Sequence, residues 1–90
     1  GQMLDHNVTL RRQETNTFSE FALRPGDNWV GRKLYDLDSP ENVNVVSIER
    51  GGTTIIPKGK TCFAAGDIVT VFGNKAVMNQ IRRILMTPKQ

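Results

Sequence analysis

The sequence predicts a small α+β domain with the order β-α-β-β-β-α, a mainly antiparallel sheet packed by two helices. Short runs rich in β-branched residues, Val43–Glu49, Thr53–Ile56 and Ile68–Phe72, follow one another between turn-forming residues. The punctuation is Gly51-Gly52, Pro57-Lys58-Gly59-Lys60, Ala65-Gly66-Asp67 and Gly73-Asn74, a spacing that reads as an antiparallel meander. The chain then closes on Ala76–Leu85, where Val77, Ile81, Ile84 and Leu85 recur at the helical period.

Taken in order, residues 1–17 are polar and hold no sustained period; Leu4, Val8 and Leu10 give only a weak apolar face. They read as a linker left from whatever precedes the domain. Phe18–Leu23 is the first strand, with imperfect alternation, and Pro25-Gly26 breaks it. Asp27 or Asn28 suits the N-cap of the next segment. Val30, Leu34 and Leu37 fall at i, i+4 and i+7, one face of a short helix over Trp29–Leu37. Gly31 costs that helix propensity and implies close packing. Asp38-Ser39-Pro40 ends it, because the residue before proline is steered out of the α region.

In the next strand, alternation puts Val43 and Val45 on one face and Val46 and Ile48 on the other. Apolar residues on both faces mean an inner strand, or a face used by a partner. Gly51-Gly52 makes the tight hairpin that primed turns demand. Ile55 and Ile56 again face opposite ways, and Pro57, which cannot donate to a ladder, marks an edge or a strand end. Phe63 packs back on the core from the long turn, and Asp67–Phe72 is the plainest strand of all. Asn74 caps the last helix, Arg82 and Arg83 suit its C-terminal dipole, and Thr87-Pro88 stops it. The domain thus spans 18–87, with 88–90 as a tail.

Ninety residues make one domain with a modest core, for which dimerisation is a natural way to gain burial. With 23% charged and 38% hydrophobic residues the chain is globular in composition. No apolar run is long enough to span a bilayer, and no signal peptide is present. The single cysteine, Cys62, forms no internal disulfide and fits a reducing, cytoplasmic setting. The net charge of +3 comes from scattered pairs, Arg11-Arg12, Arg32-Lys33, Lys58 with Lys60, and Arg82-Arg83, with acids mixed among them. A nucleic-acid binder would show a basic stripe with exposed aromatics, so solvated surface is the reading.

Catalytic equipment is missing from the pattern. His6 is the one histidine, in the linker and without a partner at ligand spacing. Cys62 has no histidine to activate it, Asp36 and Asp38 flank a helix end, and Trp29 reads as packing at a helix start. No enzyme is expected.

Gly31-Arg32-Lys33-Leu34, then Val45-Val46-Ser47-Ile48-Glu49-Arg50-Gly51-Gly52, then Ile56-Pro57, then Ala65–Gly73 stand in an order that resembles the TrkA C-terminal (RCK C-terminal) domain family. The resemblance covers roughly Phe18 to Met86. It implies a cytoplasmic regulatory module at the inner face of the cell membrane, part of an ion channel or transporter, potassium or another cation foremost. Such domains pair as homodimers and bind small effectors between protomers, cyclic di-AMP in some members. No G-x-G-x-x-G follows a strand, so neither NAD nor ATP is expected, and a cyclic dinucleotide is the effector class to test. On this reading Val46, Ile48, Ile55, Ile56 and Pro57 line an apolar cleft between protomers, and Arg50 contacts an anionic group there. The plain alternative makes the apolar residues core or dimer contacts, and Arg50 a hairpin charge paired with Glu49 or a neighbouring strand. A purely structural dimerisation module, or a basic nucleic-acid binder, are the rival functions.

Overall fold

A computed structural model of the chain describes residues 15–37 and 43–87. The expectations for the linker up to residue 14, for His6, for the Asp38-Ser39-Pro40 stop and for the 88–90 tail lie outside those residues. Strand β1 is Asn16–Ala22, β2 Asn44–Arg50, β3 Thr53–Ile55 and β4 Ile68–Asn74, followed directly by helix α1, Lys75–Met86. β1 therefore begins within the stretch assigned to the linker, taking in Asn16 and Thr17.

All pairings are antiparallel and the order is β1-β4-β2-β3. The expected meander is corrected here: β4 does not lie beside β3 but crosses to the other side of β2. β4 carries Ile68, Val69, Val71 and Phe72 and so gains most by taking an inner position between β1 and β2. The Gly51-Gly52 hairpin is as expected, with φ of 55° and 80°.

The second correction is a helix. Trp29–Leu37 forms turns and a single 3-10 turn, Leu34–Asp36, so the sheet is packed by one α-helix and not two. Gly31 has φ of 84°, outside the helical region. The backbone finds its partners across the chain instead: Gly31 N donates to Phe63 O (2.8 Å), Phe63 N to Arg32 O (3.0 Å), Leu34 N to Thr61 O (2.9 Å) and Tyr35 N to Gly59 O (3.0 Å). Val30, Leu34 and Leu37 still pack against the core, so the helical spacing was honoured without a helix. Asp27 caps backward, accepting from Arg24 N at 2.7 Å, and not forward as an N-cap.

A third departure is in β2. The register with β4 shifts between Val45 and Ser47, leaving Val46 as the extra residue of a β-bulge. The bulge resets parity, so Val43, Val45 and Ile48 all reach the core. Val46, expected to share a face with Ile48, is exposed.

α1 packs on β1 and β4 through Val77, Met78, Ile81 and Leu85. Asn74 caps it as expected, its Oδ1 accepting from Val77 N at 2.8 Å. Phe63 and Trp29 complete the core as a tilted ring pair 5.6 Å apart, and the Trp29 indole N–H is buried without a partner. On the other face of the sheet, which no helix of the described residues covers, Phe18 and Phe72 lie 4.8 Å apart beside half-exposed Ile68.

Candidate functional site

The candidate residues gather at the β2–β3 hairpin and the long loop that returns from it. Arg50 closes β2, and its guanidinium reaches to the residue just before β4. Nε donates to Asp67 Oδ1 at 2.8 Å and Nη2 to Asp67 Oδ2 at 2.7 Å, a two-pronged ion pair. Nη2 also donates to the carbonyl of Cys62 at 2.9 Å. Asp67 Oδ2 accepts a further bond from Ala64 N at 2.9 Å, which closes the Gly66-Asp67 turn in the way its composition suggests. One arginine thus ties the hairpin to the loop at Cys62 and to the root of β4.

The exposure of the two partners is unequal. The Asp67 side chain is 1% exposed and that of Arg50 is 42%. The Arg50 hydrogen bonds hold the Asp67 carboxyl below its ordinary range, against the upward push of burial, with help from the Ala64 N–H. The same bonds raise Arg50, which stays charged throughout. Sequence reasoning offers Arg50 two partners, Glu49 or a neighbouring strand, and the structure has the second, at the root of β4. Glu49 instead accepts from Thr54 Oγ1 at 2.6 Å across the hairpin. Asp67 is read from the sequence as a turn residue at the start of a strand, without being named as the partner of Arg50.

The apolar candidates divide. Ile56 is 68% exposed and Val46 38%, so both offer contact surface, while Ile55 and Pro57 are half-buried. Ile48 is fully buried opposite its strand partner Ile55, which makes it core and not contact surface. The bulge, which no periodicity reveals, separates Val46 from Ile48. Trp29 is core, Asp36 is an exposed residue of the 3-10 turn, and Cys62 has an exposed free thiol. Among the described residues no group of three His, Cys, Asp or Glu could hold a metal ion, and no helix is long and apolar enough to cross a membrane.

Residues 18–86 match the family model of the TrkA-C domain. The chain belongs to the TrkA-C domain family. A Trk system potassium uptake protein TrkA homolog of Archaeoglobus fulgidus is 32% identical over 69 residues, 77% of this chain and 16% of that protein. The K(+)/H(+) antiporter NhaP2 of a Shewanella strain is 30% identical over 66 residues, 71% of this chain and 12% of that protein. This TrkA-C chain therefore spans about one-sixth or less of the length of the curated relatives it matches. Among solved structures, an RCK domain with cda superposes with a TM-score of 0.66 at 21% identity, covering 77% of this chain and 97% of that one. The RCK C domain of the potassium transport protein KtrA, in complex with cyclic diadenosine monophosphate, gives 0.60 at 24% identity, covering 91% and 94%. At those identities the likeness is one of fold, and the α+β TrkA-C fold, an antiparallel four-stranded sheet with one C-terminal helix, is shared with both.

Proposed function

We propose that this TrkA-C domain is the cytoplasmic regulatory, effector-binding and dimerising part of a membrane ion-transport protein, potassium or another cation being the transported ion. The observation that carries the reading is the family match over 18–86, joined to relatives named for potassium uptake and potassium–proton exchange. The effector class proposed is a cyclic dinucleotide, supported by the KtrA domain whose fold this chain shares. Its site is the hairpin end of the sheet in a homodimer. Val46 and Ile56 supply exposed apolar contact, Ile55 and Pro57 the half-buried wall, Ile48 the backing, and Arg50 the cation. An effector held there would favour one arrangement of the protomers, and the shift passes to the membrane part only if the ligand binds the two arrangements unequally.

A thermal-unfolding screen of the dimer with cyclic dinucleotides tests this. A ligand at 100 times its dissociation constant stabilises by about 2.7 kcal/mol. Ile56→Asp, at an exposed side chain, should abolish that gain and leave the unliganded stability near wild type. A flat screen on a well-folded dimer would remove the effector and leave a structural dimerisation module. One observation favours that second reading: the Arg50 guanidinium already serves Asp67 and Cys62.

A further inference from the structure

The turn after β1 and the last two turns of α1 line an open cavity of about 210 Å³ that the effector reading does not use. Its floor is Phe21 and Leu85, both buried core side chains, and Met86, 71% exposed, forms an adaptable wall. Its rim carries two guanidinium groups. Arg82 lies 5.9 Å over the Phe21 ring and gives one N–H to Asn79 Oδ1. Arg24, with its side chain 69% exposed, gives one N–H to Asp27 Oδ1 at 3.3 Å.

Asp27 is the acid of the lining, and both its oxygens are engaged by Arg24, Oδ2 by the backbone N–H and Oδ1 by the guanidinium. Two cations against one such carboxylate leave the lining with a net charge of +1. The C-terminal end of a helix would disfavour an anion, but here Asn28 answers it: its N–H binds the Leu85 carbonyl and its amide the Thr87 carbonyl. An apolar floor under a cationic rim selects a ligand with two unlike ends. Benzene occupies a protein cavity of roughly 150 Å³, so this one has room for a single ring or branched chain together with a carboxylate.

We propose that this cavity is a second ligand site, specific for a small organic monoanion, an aryl or branched aliphatic carboxylate. Its apolar body rests on Phe21 and Leu85, and its carboxylate sits between Arg24 and Arg82. The inference is independent of the effector and of the dimer.

Titration of the full 90-residue chain with phenylacetate, and with phenylacetamide as its neutral counterpart, followed by backbone and arginine side-chain NMR, tests it. Saturable shifts should cluster at Phe21, Arg24, Asp27 and Leu85, with the amide bound at least about tenfold more weakly. Arg24→Gln and Arg82→Gln should each weaken phenylacetate about tenfold and leave the amide unchanged. Arg24 is exposed, so its variant decides the matter even if Arg82→Gln disturbs the packing on Phe21. Shifts elsewhere, no shifts at millimolar ligand, equal binding of acid and amide, or variants that bind as wild type would each overturn the proposal.

Discussion

The chain closes two turns with the same hydrogen bonds, at Arg24-Pro25-Gly26-Asp27 and at Ala64-Ala65-Gly66-Asp67, although of their glycines only Gly66 takes a positive φ, 89°. In each, the aspartate N–H donates to the carbonyl three residues back, at 2.9 Å and 3.2 Å. In each, its Oδ2 accepts the N–H of that same residue, at 2.7 Å and 2.9 Å. The two turns meet through Leu23 N and Asp67 O, 2.8 Å apart. Both aspartates are buried, at 5% and 1% exposure. They differ in the arginine. Arg24 belongs to its own turn, makes one 3.3 Å contact and is mostly in water. Arg50 comes from 17 residues away, makes two short bonds and continues to Cys62. The same local chemistry therefore closes a loop in one case and fastens separate parts of the fold in the other.

The largest effect expected from breaking this contrast is at Arg50. Arg50→Ala leaves a buried carboxylate without its countercharge and should cost about 3 kcal/mol in chemical denaturation. Asp67→Asn should cost less, about 1–2 kcal/mol, because the released guanidinium can turn to water and the amide keeps part of the hydrogen bonding. The pH dependence sharpens the point. Asp67 is lowered in the folded state, so its contribution is complete above the ordinary carboxylate value of about 4 and is lost as pH falls through the folded value. Asp67→Asn should flatten that acid limb of the stability curve. Smallest is Arg24→Ala, expected within about 0.5 kcal/mol of wild type. A loss at Arg24 equal to that at Arg50 would erase the distinction between the two turns.

Strands and the closing helix were legible because β-branched runs and a 3.6-residue stripe report directly on local geometry. The irregular path of residues 29–37 was not, because Val30, Leu34 and Leu37 need only reach the core, and a non-helical segment paired to residues 59–63 does that as well as the expected helix. Strand order escaped too, since alternation states which face is apolar and not which neighbour is beside it. That is also why the partner of Arg50 was legible only as far as a neighbouring strand: its tie to Asp67 exists because β4 lies next to β2. The repeated Gly-Asp was the signal available. It marks both capped turns, including Asp27, which was placed at a helix start.

The strand order also dictates how the chain must come together. Among the described residues the β2–β3 hairpin is the one local strand pairing, and β1 pairs with β4 alone, whose residues lie some way along the chain. Closing that long loop costs entropy before any β1 contact repays it. Phe21 can therefore meet its strand partner Val69 only after nearly the whole domain has been made, and the sheet is completed from its C-terminal side.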